Sequence, residues 1–152
     1  MSWLKQVNEW SPSVRINEAW GETCPTKSCG VFRLIGIDSD SGDRNPVVID
    51  RTCGRDTSGT LYIGEGSPLD REIGNVIKSL VGSGRHNAGV RLRANAKLTD
   101  RFRPGRLAIS WCLVEAPACG SEDRLMRAYA DEFGELPPLN AQGSFGPAPK
   151  ST

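Results

Sequence analysis

Runs of apolar residues along the chain predict strands and helices in alternation. Short runs rich in β-branched and aromatic residues, bounded by turn-forming residues, predict strands at residues 31–38, 47–51, 60–64 and 107–115. Apolar residues at helical spacing, with Ser67 and Ser121 as caps, predict helices at residues 68–80, 87–98 and 122–133. This order predicts an α/β fold with a small, mainly antiparallel sheet of three to four strands flanked by helices.

The chain divides into one predicted domain and two flanking segments. A length of 152 residues is enough to bury a single core. Residues 1–28 carry three of the four tryptophans, so we expect an N-terminal extension that packs its aromatic side chains on the core. The core domain is predicted at residues 29–140. Residues 141–152 are rich in glycine, proline and serine and predict a disordered tail.

Positive charge is concentrated in one segment of a chain whose formal net charge is only +1. Residues 85–106 contain the only histidine, one acid and seven bases, namely His86, Asp100, Arg85, Arg91, Arg93, Lys97, Arg101, Arg103 and Arg106. Acidic residues collect instead at residues 38–43 and 115–135. Such polarity is expected if one face of the protein meets phosphate groups, and a solvated helix face is the plainer alternative.

Two classes of protein do not fit the composition. No run of 18 apolar residues and no basic-then-apolar leader is present, so we expect no membrane partner and a soluble protein. Five cysteines leave one unpaired in any disulfide scheme, which favours reduced thiols and a cytoplasmic location.

Four short features occur in a specific order across the predicted domain. GVF at residues 30–32 and YIG at residues 62–64 each place a glycine beside an aromatic residue at a predicted strand. A lone carboxylate, Glu122, and the string LPPLN at residues 136–140 follow far downstream. This ordered set resembles the GIY-YIG nuclease superfamily. The resemblance implies a metal-dependent endonuclease that hydrolyses phosphodiester bonds of DNA with Mg²⁺ or Mn²⁺.

The resemblance also implies a role for each candidate residue. Phosphodiester hydrolysis needs an activated water, a cation on the phosphate and stabilisation of the leaving oxygen. Tyr62 would orient or deprotonate the water, and Glu122 would hold the metal ion. Asn140 would fix loop geometry or bind near a water of the metal. His86 could serve as a general base, and Arg71 is the candidate for the phosphate contact.

Two departures from the family pattern weaken the catalytic prediction. Phe32 stands where the family usually has a tyrosine, so one hydroxyl is missing. Glu72 stands where the family arginine is expected, and Arg71 lies one residue earlier, which rotates a helical side chain by about 100°. Arg85 or Arg91 could substitute for it.

The alternative to an active nuclease is a module that keeps the fold and has lost hydrolysis, binding either nucleic acid or another protein. Whether the protein is an active nuclease or only binds nucleic acid, we expect phosphate contacts from Arg85, Arg91, Arg93 and Lys97. Taken alone, Tyr62 could be a core tyrosine, and Glu122 could be an acid favoured near a helix N-terminus.

Overall fold

The computed structural model describes residues 2–140, so the predicted tail at residues 141–152 lies outside the described residues. Within that range the chain forms a four-stranded sheet and a two-stranded sheet, with α-helices packed around them. All strand pairs are antiparallel. The predicted α/β fold with a small antiparallel sheet flanked by helices is confirmed.

The larger, four-stranded sheet contains the strands at the centre of the core. Its strands, in spatial order, are β1 (Val14–Arg15), β6 (Leu107–Leu113), β2 (Gly30–Gly36) and β5 (Thr60–Gly66). Strands β2 and β6 are buried at almost every position because side chains pack on both faces of the sheet. In the register of β2, Phe32 lies opposite Gly64 of β5 and opposite Trp111 of β6.

The smaller sheet pairs β3 (Ile49–Arg51) with β4 (Gly54–Asp56). It is tied to the rest of the molecule through Asp56, which is fully buried and accepts a hydrogen bond of 2.8 Å from the Tyr129 hydroxyl. The strand predicted at residues 47–51 is shorter in the structure, where it spans Ile49–Arg51. Strands β1 and β4 were not predicted, because two or three residues are too few to show an alternating pattern.

Four α-helices occur within residues 2–140: α1 (Leu69–Leu80), α2 (Asn87–Arg93), α3 (Ala96–Arg101) and α4 (Ala118–Phe133). The prediction of a single helix at residues 87–98 is wrong. Asn95 interrupts it and starts α3, since its side chain accepts the backbone N–H of Leu98. Helix α4 begins at Ala118, so the predicted cap Ser121 is a buried residue inside the helix.

Two apolar clusters hold the helices against the sheet. Helix α1 buries an apolar stripe that packs against Phe32, Leu34 and neighbouring residues. The stripe consists of Leu69, Ile73, Val76 and Leu80. Helix α4 buries Leu125, Met126, Tyr129 and Phe133 in a second cluster with Val31 and Ile63. Trp3, from the N-terminal segment, is fully buried there, with its ring edge-on to Tyr129 at a centroid distance of 5.0 Å.

None of the helices in residues 2–140 combines the length and the apolar character that a membrane crossing requires.

Gly64 is the position where two neighbouring aromatic rings leave no room for a side chain. A Cβ atom there would lie 2.5 Å from Cζ of Phe32 and 2.9 Å from Cε1 of Tyr62. The Phe32 ring therefore crosses directly over the backbone of β5, and this crossing seats Tyr62 beside it at a ring-centroid distance of 6.0 Å.

We expect Gly64→Ala to lower the free energy of unfolding by about 1–3 kcal/mol, because the Phe32 ring must move to admit the methyl group. Urea denaturation measures the change. Gly120→Ala is the matched control, since nothing lies within 4 Å of its Cβ position in α4, and it should stabilise the protein by about 0.5–1 kcal/mol. Unchanged stability of Gly64→Ala would contradict the close crossing.

Candidate functional site

Tyr62 lies on β5 with its phenol among charged side chains. Its ring is edge-on to His86 at a centroid distance of 5.5 Å. Burial raises the pKa of Tyr62 to about 12, together with the carboxylate of Glu122 and smaller contributions from two other glutamates. Arg91 acts in the opposite direction and lowers the pKa. At neutral pH Tyr62 is therefore a protonated phenol, able to donate a hydrogen bond.

Three glutamates from three different elements act electrostatically on this phenol: Glu65 of β5, Glu72 of α1 and Glu122 of α4. Burial raises the pKa of Glu122 to about 7, together with the negative charges of Glu65, Asp123 and Glu72, in that order of size. The structure thus brings Tyr62 and Glu122 into one electrostatically coupled group, although they are 60 residues apart in the sequence. The group is crowded with negative charge.

Arg91 of α2 is a cation that acts on Tyr62 and on His86. Its Nη1 atom donates a hydrogen bond of 2.8 Å to the carbonyl oxygen of Leu139. Its charge lowers the pKa of both Tyr62 and His86. The structure does not bring Arg71 into the same group. Arg71 is exposed on α1, and its neighbour Glu72 is the residue of that turn that faces His86.

His86 has partners at both ring nitrogens. Its Nδ1 atom accepts the backbone N–H of Ala88 at 3.1 Å, where it caps α2. The ring proton therefore belongs on Nε2, which lies 2.9 Å from Oε1 of Glu72. Burial lowers the pKa of His86 below 6.5, and Glu72 opposes this shift. This arrangement leaves no free ring nitrogen for the general-base role that the sequence suggested.

Asn140 extends the sheet with its side chain. Its Oδ1 atom accepts the N–H of Ile63 at 2.9 Å, and its Nδ2 atom donates to the carbonyl oxygen of Ile63 at 3.0 Å. The preceding residue, Leu139, donates its N–H to the carbonyl oxygen of Leu61 at 2.8 Å. An amide is the side chain that both donates and accepts in this way. Of the two predicted roles for Asn140, the contacts favour loop geometry.

The predicted nucleic-acid contacts separate into two kinds. Arg85 and Lys97 are exposed, and each is available to a phosphate at the surface. Arg93 is exposed as well, but its guanidinium donates to the carbonyl oxygens of Ser79 and Gly84 and so ties α2 to the end of α1.

Glu122 is a single candidate carboxylate for a divalent cation. Within residues 2–140 no group of three or more histidine, cysteine, aspartate or glutamate side chains could hold a metal ion. Mg²⁺ keeps most of its waters and often takes only one or two protein carboxylates. Crowding of Glu122 by Glu65 and Glu72 would be relieved by such a cation. The residues present therefore fit Mg²⁺ or Mn²⁺ held at Glu122.

Sequence reasoning did not assign Glu72 to the site, and it named Arg91 as a substitute for Arg71 and as a phosphate contact. The available signal for Glu72 was its position ten residues after Tyr62, where the resemblance places a functional side chain. The basic segment at residues 85–106 includes Arg91, but the direction of its side chain depends on how α2 packs.

Compared with known proteins, the chain matches no family model, no curated protein and no solved structure.

The raised pKa of Glu122 makes protein stability depend on pH. Between about pH 4.5 and pH 7 the folded protein binds a proton at Glu122 that the unfolded chain releases, so the free energy of unfolding falls as the pH rises through this window. Glu122→Gln removes this loss. At about pH 8 we expect the variant to be more stable than the wild type by about 1–2 kcal/mol, allowing for solvent screening.

Urea denaturation at about pH 4.5 and pH 8 measures this difference, which should be small at the lower pH. Asp131→Asn, at an exposed position of α4, is the matched control and should change stability equally at both pH values. A Glu122→Gln variant that is destabilised to the same extent at both pH values would contradict the crowding.

Proposed function

We propose that this protein is a metal-dependent endonuclease of the GIY-YIG type that hydrolyses phosphodiester bonds of DNA. The observation that supports it best is the convergence of Tyr62, Arg91 and Glu122 from β5, α2 and α4. These are a phenol, a guanidinium and a carboxylate, the groups that the reaction needs. Tyr62 and Glu122 belong to the motif that first suggested the function, whereas Arg91 does not.

Each side chain has a specific task in the proposed reaction. Arg91 binds the scissile phosphate and stabilises its charge in the transition state. Tyr62 keeps its proton at rest and orients the attacking water by hydrogen bonding. Glu122 holds Mg²⁺ or Mn²⁺. When bound, that ion supplies positive charge against the phosphate.

The negative charge of the candidate site affects how DNA would bind there. Glu65, Glu72 and Glu122 make the site negative, so a DNA phosphate is repelled until a divalent cation offsets their charge. The exposed cations Arg85 and Lys97 lie outside this group and hold neighbouring phosphates. We infer that DNA binds productively only together with the metal ion.

The five cysteines are all free thiols. Free thiols persist in a reducing compartment, which supports a cytoplasmic location.

A catalytically impaired nucleic-acid-binding or protein-interaction module is the second candidate. Two observations favour it: Phe32 supplies no hydroxyl, and the negative charge of Glu72 acts on Tyr62 and would repel a phosphate bound there. In this case the cations of α2 and α3 would bind DNA or an acidic protein without hydrolysis.

We expect cleavage of supercoiled plasmid DNA in the presence of Mg²⁺ or Mn²⁺, and a loss of about 10²–10³-fold in Glu122→Ala, because that substitution removes the anchor of the metal ion. Asp131→Ala, from the exposed side of the same helix, should cleave at the wild-type rate. Salt-sensitive DNA binding without cleavage would select the impaired module, since phosphate contacts release counterions.

We expect Arg91→Ala to lower the single-turnover cleavage rate by about 10²-fold, because the phosphate loses its guanidinium, and Arg91→Lys to recover part of the loss. Arg55→Ala removes an exposed arginine from β4 and should have no effect. The competing assignment is tested by Arg71→Ala. If that substitution costs more than Arg91→Ala, the phosphate contact belongs to α1.

A further inference from the structure

We propose that Glu72 and His86 form a positioning pair that holds helix α2 against α1 and so directs Arg91 toward Tyr62. In this role His86 acts through its contact with Glu72 and accepts no proton from water. The consequence for catalysis rests on the proposed function, whereas the consequence for the position of Arg91 does not.

Helix α2 needs outside support because it has only seven residues. A helix of that length is not stable by itself in water, and its first amides lack partners inside the helix. His86 meets both needs. Its Nδ1 atom accepts the N–H of Ala88, and its Nε2 atom lies 2.9 Å from Oε1 of Glu72 in the first turn of the neighbouring helix α1. One imidazole therefore both begins α2 and joins it to α1.

A second attachment lies further along α2. A Cβ atom at Gly89 would overlap the backbone of Ser79, so the two helices approach closely there. Arg93 donates to the carbonyl oxygens of Ser79 and Gly84. Gly89 and Arg93 are four residues apart and share one face of α2, which is the face against α1.

These attachments determine the direction of Arg91. A residue two positions beyond Gly89 points about 200° around the helix, away from α1. Arg91 accordingly reaches Leu139, to whose carbonyl oxygen it donates at 2.8 Å. Leu139 in turn donates to Leu61, the residue before Tyr62. Loss of the pair would remove the attachment at the start of α2 and let that end of the helix rotate or fray.

Glu72 is suited to holding His86 and unsuited to binding substrate. Its carboxylate is one of the anions that raise the pKa of Tyr62, and it would repel a phosphate. Its side chain is partly buried, and the imidazole offers it an N–H donor. A neutral acceptor of the same shape could therefore replace it.

Four variants separate this role from its alternatives. Glu72→Gln keeps an acceptor oxygen for Nε2, whereas Glu72→Ala removes it. His86→Asn keeps a capping oxygen for Ala88 and loses the contact with Glu72. Asn95→Ala is the matched control, because it removes the corresponding cap of α3.

NMR spectroscopy and single-turnover kinetics on the full chain test the proposal. Nitrogen NMR of the wild-type imidazole near neutral pH should show the neutral tautomer with its proton on Nε2. The side-chain N–H signals of Arg91 should shift in Glu72→Ala and His86→Asn, and remain in place in Glu72→Gln and Asn95→Ala. With Mg²⁺ and a DNA duplex, Glu72→Ala and His86→Asn should lose about 10²-fold in single-turnover rate through misplacement of Arg91. Glu72→Gln should restore most of it.

The pH–rate profile of His86→Asn should keep the shape of the wild-type profile at a lower level. Loss of its acidic limb would show that His86 takes a proton in the reaction and would overturn the proposal. A ring proton on Nδ1, or Arg91 signals unaffected by Glu72→Ala, would overturn it as well. If the wild type cleaves no DNA, the proposed function fails, and the NMR result alone decides whether the pair positions Arg91.

Discussion

The register between β2 and β5 fixes where the candidate groups stand. Phe32 lies opposite Gly64, and the absence of a side chain at Gly64 lets the ring cross over β5 next to Tyr62. A slip of one residue would move Tyr62 to the other face of the sheet, away from α1 and α2. Asn140 closes the other edge of β5 through two hydrogen bonds to Ile63. The strand that carries the phenol is therefore held on both sides.

Around this strand the structure gathers negative charge that lowers its own stability. Burial and neighbouring carboxylates raise the pKa of Glu122 to about 7. Crowding of like charges is typical of functional sites, where side chains are positioned to bind a ligand and not to stabilise the protein without it. Arg91 offsets part of the charge from within the chain, and a divalent cation at Glu122 would offset more. The same crowding explains why metal and DNA would bind together.

Elements with strong local patterns could be predicted from sequence, and those set by packing could not. The seven-residue strands β2, β5 and β6 and the amphipathic helices α1 and α4 carry clear periodicity. Strand β1 has two residues, and Asn95 breaks a helix whose apolar spacing continues across it. At the site, Tyr62 and Glu122 followed from the motif. Helix rotation decides that Glu72 and not Arg71 faces the site. Contacts between helices decide the direction of Arg91 on α2. Local sequence encodes neither.

The most direct measurement is a crystal structure of the protein with Mn²⁺ and a short DNA duplex, using anomalous scattering to locate the metal ion. A manganese peak at the Glu122 carboxylate, with a DNA phosphate between it and Arg91 and beside the Tyr62 hydroxyl, is the predicted result. DNA bound away from Tyr62, or manganese bound elsewhere than at Glu122, would contradict the assignment of this site to phosphodiester hydrolysis.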